Sequence, residues 1–160
     1  MPVRALADAD RDWAATVVTR HFGSPVVVSR GVCQDTRTLP GLVLEDHGDR
    51  LGLIQYRIDG MRCEVVVIIS LRARQGHGRR LLAGLASVAR GQGCRCLWLV
   101  TTNDNWPAQQ FYAALGWRQV AVHRGAVTAA RSLKPEIPET GRDGLPLTDE
   151  IEYELRLDKA

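Results

Sequence analysis

The sequence has no long hydrophobic run. Its uninterrupted apolar stretches, such as Val65 to Ile69, stay far below the roughly 20 residues that a membrane-spanning helix needs. The opening residues, Met1-Pro2-Val3-Arg4-Ala5, lack the apolar core of a secretory signal, so a cytoplasmic protein is expected. Internal repeats and low-complexity tracts are absent. There is no C-x-x-C pair among Cys33, Cys63, Cys94 and Cys96 and no paired-histidine spacing, so neither a zinc site nor any other bound metal is expected. Cys94 and Cys96 stand two apart in an expected strand, an awkward separation for a disulfide. All four cysteines read as reduced thiols, mostly small core residues. Charge of one sign is not in excess either. Twenty-one basic against eighteen acidic residues give +3, and no nucleic-acid motif accompanies the basic residues.

What is present is globular. The 160 residues, 45% hydrophobic and 24% charged, suit one domain with its own core. Asp8 to His21 reads as a capped helix with Trp13, Val17 and Val18 at helical spacing. Val26 to Val28 reads as a short strand, followed by strands over Leu39–Glu45 and Leu51–Ile58. Asp59-Gly60 is a hairpin signal leading into Met61–Leu71, whose apolar centre suits a strand covered on both faces. Leu81, Leu82, Leu85, Val88 and Ala89 mark an amphipathic helix ended by Gly91 and Gly93. A strand follows over Cys94–Thr101, then a helix opened by Asn105-Trp106-Pro107 and closed by Gly116. Trp117–His123 reads as a strand, Ala126–Leu133 as a short helix and Pro135–Pro146 as a loop. In the last strand Ile151, Tyr153, Leu155 and Leu157 alternate with Glu150, Glu152, Glu154 and Arg156, which predicts one buried and one solvated face. The order predicts an α/β (α+β) three-layer domain with a parallel crossover between the strands at Met61 and Cys94.

The junction from Ile68 to Leu82 carries the chemistry. A buried strand runs into the turn Arg74-Gln75-Gly76-His77-Gly78 and then a helix. The glycines let backbone N–H groups converge, and the first helical turn adds unpaired N–H groups and the positive end of the dipole. Arg72, Arg74, Arg79 and Arg80 crowd the same point. Such a turn is an anion site suited to phosphate, or simply a tight turn flanked by arginines. No Gly-Lys-Ser/Thr follows, which excludes a Walker A loop. The third glycine of a dinucleotide fingerprint is missing as well.

Arg74-Gln75-Gly76-His77-Gly78-Arg79-Arg80-Leu81-Leu82, then Leu97-Trp98-Leu99-Val100, then Asn105-Trp106-Pro107-Ala108 and Phe111-Tyr112-Ala113-Ala114-Leu115-Gly116-Trp117 resemble the GNAT acyltransferase superfamily in order and spacing. The resemblance is strongest from Cys63 to Val122. Thr101-Thr102-Asn103-Asp104-Asn105 and the tail from Lys134-Pro135 to Glu152 are further similar to a group of bacterial GNAT-like sequences with no assigned substrate. The resemblance implies a mixed sheet of six to seven strands, splayed between Met61–Leu71 and Cys94–Thr101, with helices on both faces. It implies an acetyl-CoA-dependent N-acetyltransferase acting on a primary amine of a small molecule or peptide by direct attack on the thioester, and a possible homodimer. Backbone N–H groups of Arg74, Gln75, Gly76, His77, Gly78, Arg79 and Arg80 would hold the CoA pyrophosphate. Ile68 and Ile69 would pair with the pantetheine arm, and an N–H of that strand would polarise the thioester carbonyl. Asn105 would orient the arm, and Tyr112 would protonate the departing thiolate. The superfamily usually has Gln or Arg where this chain has Ala73, flanked by Arg72 and Arg74.

An attacking amine must lose a proton. Glu64 stands where the resemblance places a carboxylate base, though a residue just past a hairpin could equally be solvated. Glu45, Asp46 and the tail carboxylates are other candidates, with Glu150, Glu152 and Glu154 reading as one wet face. His77 reads as an extra donor in the phosphate turn, and His123 as a surface residue. Tyr112 also has a space-filling reading beside Phe111 and Leu115, four apart on one helical stripe. A rival of another class keeps the fold without the chemistry, as a non-catalytic acyl-CoA-binding or regulatory module, and Ala73 is its best support.

Overall fold

The computed structural model describes residues 2–157, which divide into two compact units. One comprises residues 2–27 and 35–97 with Leu157; the other comprises Val28–Gln34 and Trp98–Arg156.

In the first unit β1 (Val3–Ala5), β4 (Gly41–Asp46), β5 (Asp49–Asp59) and β6 (Arg62–Ser70) form an antiparallel run in that order. The register pairs Val3 with Leu44, Leu42 with Ile54 and Ile54 with Ile68. β7 (Cys96–Thr102) starts beside β6. Arg95 N–H donates to the Met61 carbonyl at 2.7 Å, so both strands leave from one end, which is the parallel step of a mixed sheet. Period-two alternation sends neighbouring residues to opposite faces, and the packing follows it. Val43, Leu53, Val67 and Ile69 meet Ala14, Val17 and Val18 of α1 (Arg11–Phe22). On the opposite face lies α2 (His77–Gly91), which buries Leu81, Leu82, Leu85, Ala86 and Ala89. The approach there is close: a Cβ on Gly52 would meet Leu81 Cδ1 at 2.9 Å, and one on Gly84 would meet Val3 Cγ1 at 3.0 Å. Three layers result, helix on sheet on helix, with β6 covered on both faces as its unbroken apolar run predicts.

In the second unit Trp98–Thr102, the remainder of β7, neighbours β9 (Glu150–Arg156), which pairs antiparallel with β8 (Arg118–His123). Asn103 N–H donates to the Asp149 carbonyl at 3.1 Å, so the end of β7 meets the start of β9. Among the described residues the mixed sheet counts seven strands. α3 (Trp106–Ala114) and the short α4 (Ala126–Ala130) belong to this unit. β2 (Val26–Ser29) and β3 (Val32–Asp35) form a separate two-stranded ribbon.

Two expectations change. β1 and β3 are not expected from the sequence. The face of β9 expected to be wet is also partly closed: Glu150 is 4% exposed, and Arg30 donates its backbone N–H to both carboxylate oxygens at 3.3 and 3.4 Å. Among the described residues no helix is long and apolar enough to cross a membrane.

Candidate active site

Leu71 to Gly76 leave the end of β6 as an exposed turn. Arg74 and Gly76 both take positive φ, +60° and +75°, a left-handed geometry that glycine adopts without strain and arginine does not. That curl points the chain directly into α2. The helix starts with Gly76 at its N-cap, no side chain capping it and no acidic residue in its first turn. Its first N–H groups therefore keep their partial positive charge with no internal acceptor. Arg72, Arg74, Arg79 and Arg80 are exposed around it. His77 is 1% exposed, and neither ring nitrogen has a hydrogen-bond partner. Ala73 lies in the exposed turn between the flanking arginines. A cleft of about 460 Å³ opens in the same unit, with Trp13, Arg50, Leu71 and Arg72 among its walls. Arg50 stacks on Trp13 at 5.4 Å and donates to Asp10 at 2.8 Å. Bonds from Arg4, joined by the Ala7 N–H and Arg50, hold the Asp10 carboxyl far below the usual carboxylate range.

On β6 itself, Ile69 is buried and Ile68 half-buried. Glu64 is 2% exposed and faces Arg57, its cross-strand partner, at 3.6 Å. The solvated reading of Glu64 does not hold: the β5–β6 pairing takes its side chain out of water. Cys63 next to it is fully buried, and burial, with Cys94 and Cys96 nearby, pushes its thiol up to about 12. A thiol held protonated is a poor nucleophile. Cys94 and Cys96 are buried too, whereas Cys33 is exposed rather than a core residue.

In the second unit Asn105 is the N-cap of α3, its Oδ1 accepting the Ala108 N–H at 3.3 Å. Tyr112 is the buried residue of this helix. Its ring lies 5.2 Å from Phe111 and Trp117 and 5.9 Å from Tyr153, and burial raises its phenol above the ordinary value. Phe111 is 37% exposed, so the inward stripe runs through Tyr112 rather than through Phe111 and Leu115. His123 is half-buried, with Nε2 2.8 Å from Glu152 on β9. Trp106 is half exposed and donates its indole N–H to Asp143 at 3.1 Å.

Sequence reasoning singles out the stretches that hold Asn103, Asp104 and Gly141 but gives these three residues no role; they tie the start of α3 to the tail. The repeated Asn and Asp before a helix is the one signal that could have pointed to the first two. Among the described residues no group of three or more His, Cys, Asp and Glu side chains is arranged to hold a metal ion.

The model of the acetyltransferase (GNAT) family matches residues 12–117, about two thirds of the chain and the whole of the junction just described. The chain belongs to the GNAT acetyltransferase family. It is 35% identical over 140 residues to the uncharacterized protein YdhI of Bacillus subtilis (strain 168), covering 87% of this chain and 88% of that one. Among solved structures it is similar to the ribosomal-protein-S18-alanine N-acetyltransferase from Escherichia coli, with a TM-score of 0.71, 19% identity and coverage of 99% and 95%. It is also similar to yncA from Salmonella typhimurium with its cofactor acetyl-CoA, with a TM-score of 0.68, 21% identity and coverage of 100% and 95%. Both show the GNAT fold in this chain. Acetyl transfer is the general activity of this GNAT member.

Proposed function

We propose that the chain transfers an acetyl group from acetyl-CoA to a primary amine by direct attack of the amine on the thioester. The observation that carries this reading is the start of α2: an uncapped, acid-free helix terminus ringed by four arginines, with His77 buried beside it and unpartnered. Local chemistry of that kind favours a doubly charged pyrophosphate.

Acetyl-CoA would supply the acetyl group already activated as a thioester. Backbone N–H groups from Arg74 to Arg79 bind its pyrophosphate, whereas the Arg80 N–H is taken by the Gly76 carbonyl at 3.2 Å, so Arg80 contributes only its charge, as the other arginines do; main-chain contacts of this kind survive the presence of Ala73. The Ile68–Ile69 backbone pairs with the pantetheine arm, and Asn105 orients the arm. Glu64 takes the proton that the amine loses as the C–N bond forms. Tyr112 gives its phenolic proton to the sulfur as the C–S bond breaks. The phenol is protonated at neutral pH, as a tyrosine with the ordinary value of about 10 also is, and the rise caused by burial makes it a weaker acid, so the role rests on the motif position of Tyr112. The acceptor is the amine of a small molecule or a peptide.

Calorimetric titration tests this reading. Acetyl-CoA should bind saturably, and adenosine phosphates without the pantetheine arm should bind more weakly. Release of free CoA thiol with a panel of amines should follow. Binding without turnover for any amine would instead identify a non-catalytic acyl-CoA module, and no binding at millimolar acetyl-CoA would overturn both.

A further inference from the structure

Two stretches that stand out in the sequence, Thr101 to Asn105 and the tail from Lys134 to Glu152, bind each other in the second unit. Asp104 is 9% exposed. One of its carboxylate oxygens accepts the Thr102 hydroxyl at 2.5 Å, and the other accepts the Arg142 N–H at 2.7 Å, 38 residues away. Asn103 Oδ1 accepts the N–H groups of Thr148 and Asp149, both at 3.0 Å, while its Nδ2 donates to the Pro146 carbonyl at 2.8 Å. Trp106 reaches Asp143. Gly141 makes the approach possible: a Cβ there would overlap the Asp104 carboxylate and come within 2.9 Å of Leu147 Cγ.

Asn105 sits in the middle of this clasp, with residues bound to the tail on both sides of it. Its backbone, at φ −86° and ψ 62°, is neither strand nor helix, so its direction depends on the turn around it. Asp104 also fixes that turn through its carbonyl, which accepts the Trp106 N–H at 2.9 Å. Two donors converge on the side chain of Asp104. The carboxylate accepts both at once, and because the Thr102 hydroxyl can also accept, an asparagine could keep both contacts, so only loss of the polar side chain removes them.

We infer that Asp104 is a positioning residue, holding Asn105 through the tail strap so that Asn105 meets the pantetheine arm of acetyl-CoA. The inference rests on the function proposed above. Asp104 itself touches no reacting atom.

The test compares Asp104→Ala and Gly141→Ala, which loosen the clasp from its two sides, with Asn105→Ala. Calorimetry gives the Kd for acetyl-CoA and for 3′-phosphoadenosine 5′-diphosphate, which keeps the pyrophosphate and lacks the arm. The two clasp variants should weaken acetyl-CoA by roughly tenfold at unchanged stoichiometry and leave the fragment within twofold, as Asn105→Ala should too. A clasp that only stabilises the fold would lower Tm and the bound fraction but not the Kd, and that result overturns the proposal. If Asn105→Ala weakens acetyl-CoA and neither clasp variant does, positioning fails while the functional reading stands. If Asn105→Ala has no effect, the role of Asn105 fails, and positioning with it. If the unmodified protein does not bind acetyl-CoA, the functional reading falls first.

Discussion

Two strand-to-helix junctions in this chain solve the same problem in opposite ways. Both end a β-strand, turn within a few residues and open a helix, so both face the same set of unpaired N–H groups. At the start of α3 the protein satisfies them itself: Asn105 caps the helix and Asp104 and Asn103 bind the tail. At the start of α2 it does not. Gly76 offers no side chain, the first turn has no acid, and the surrounding charges are arginines. One helix start is closed by the chain and the other is left without a side-chain cap. A cap would have been a single substitution away, which is why its absence informs as much as any residue present.

The largest expected effect comes from closing the open junction. Gly76→Asp places a carboxylate at the N-cap of α2, where it competes with the pyrophosphate for the same N–H groups. Asp tolerates the left-handed conformation of this position better than most residues, and a Cβ here meets nothing within 4 Å. Acetyl-CoA affinity should fall about a hundredfold, which corresponds to about 2.7 kcal/mol. Gly76→Ala controls for backbone strain and should cost about 1 kcal/mol of stability with affinity changed only a few-fold. Equal affinities in the aspartate variant and the parent would mean that the open junction is not the anion site, and the contrast with α3 would lose its meaning.

The next effect asks whether the closed junction serves chemistry or only structure. Tyr112→Phe keeps the ring packing against Trp117 and Tyr153 and removes only the proton. With any amine that supports turnover, kcat should fall about a hundredfold, while acetyl-CoA Kd stays within threefold. The pH profile carries the sign. A general acid works while protonated, so activity is lost as pH rises through its pKa. Burial raises that pKa above its ordinary value of about 10, so the fall in kcat due to Tyr112 should lie beyond pH 10. An unchanged kcat in the phenylalanine variant would leave Tyr112 as packing alone.

How much of this was legible in the sequence depends on how far each feature reaches. β6 and β9 announce themselves by an apolar run and by alternation, because the signal lies inside the strand. The glycine turn is likewise local. β1 is three residues long and exists only because Val3 meets Leu44, a pairing that no local pattern encodes. Glu150 is buried because Arg30, 120 residues earlier, folds over it. The inward face of α3 was misplaced by one residue, from Phe111 to Tyr112. A nine-residue helix has too few turns to separate neighbouring stripes. Asp104 was hidden for a different reason: its distant partner is the backbone N–H of Arg142, and a backbone donor leaves no mark in a sequence.

The smallest effect separates the two duties of Asn105 on the closed junction. Asn105→Ala removes the cap from α3, which should cost about 1 kcal/mol and lower Tm by about 3 °C for a chain of this size. Asn105→Asp keeps an oxygen for the Ala108 N–H and adds a charge that suits a helix start, so its Tm should match the parent. If capping were the whole function, the aspartate variant would also match the parent in acetyl-CoA affinity. If Asn105 also donates its amide hydrogens to the pantetheine arm, the aspartate variant loses those donors and should bind acetyl-CoA several-fold more weakly at full stability. A variant equal in Tm and weaker in binding would show that the closed junction, like the open one, is shaped for the same ligand, with its helix start sealed so that one side chain can be aimed.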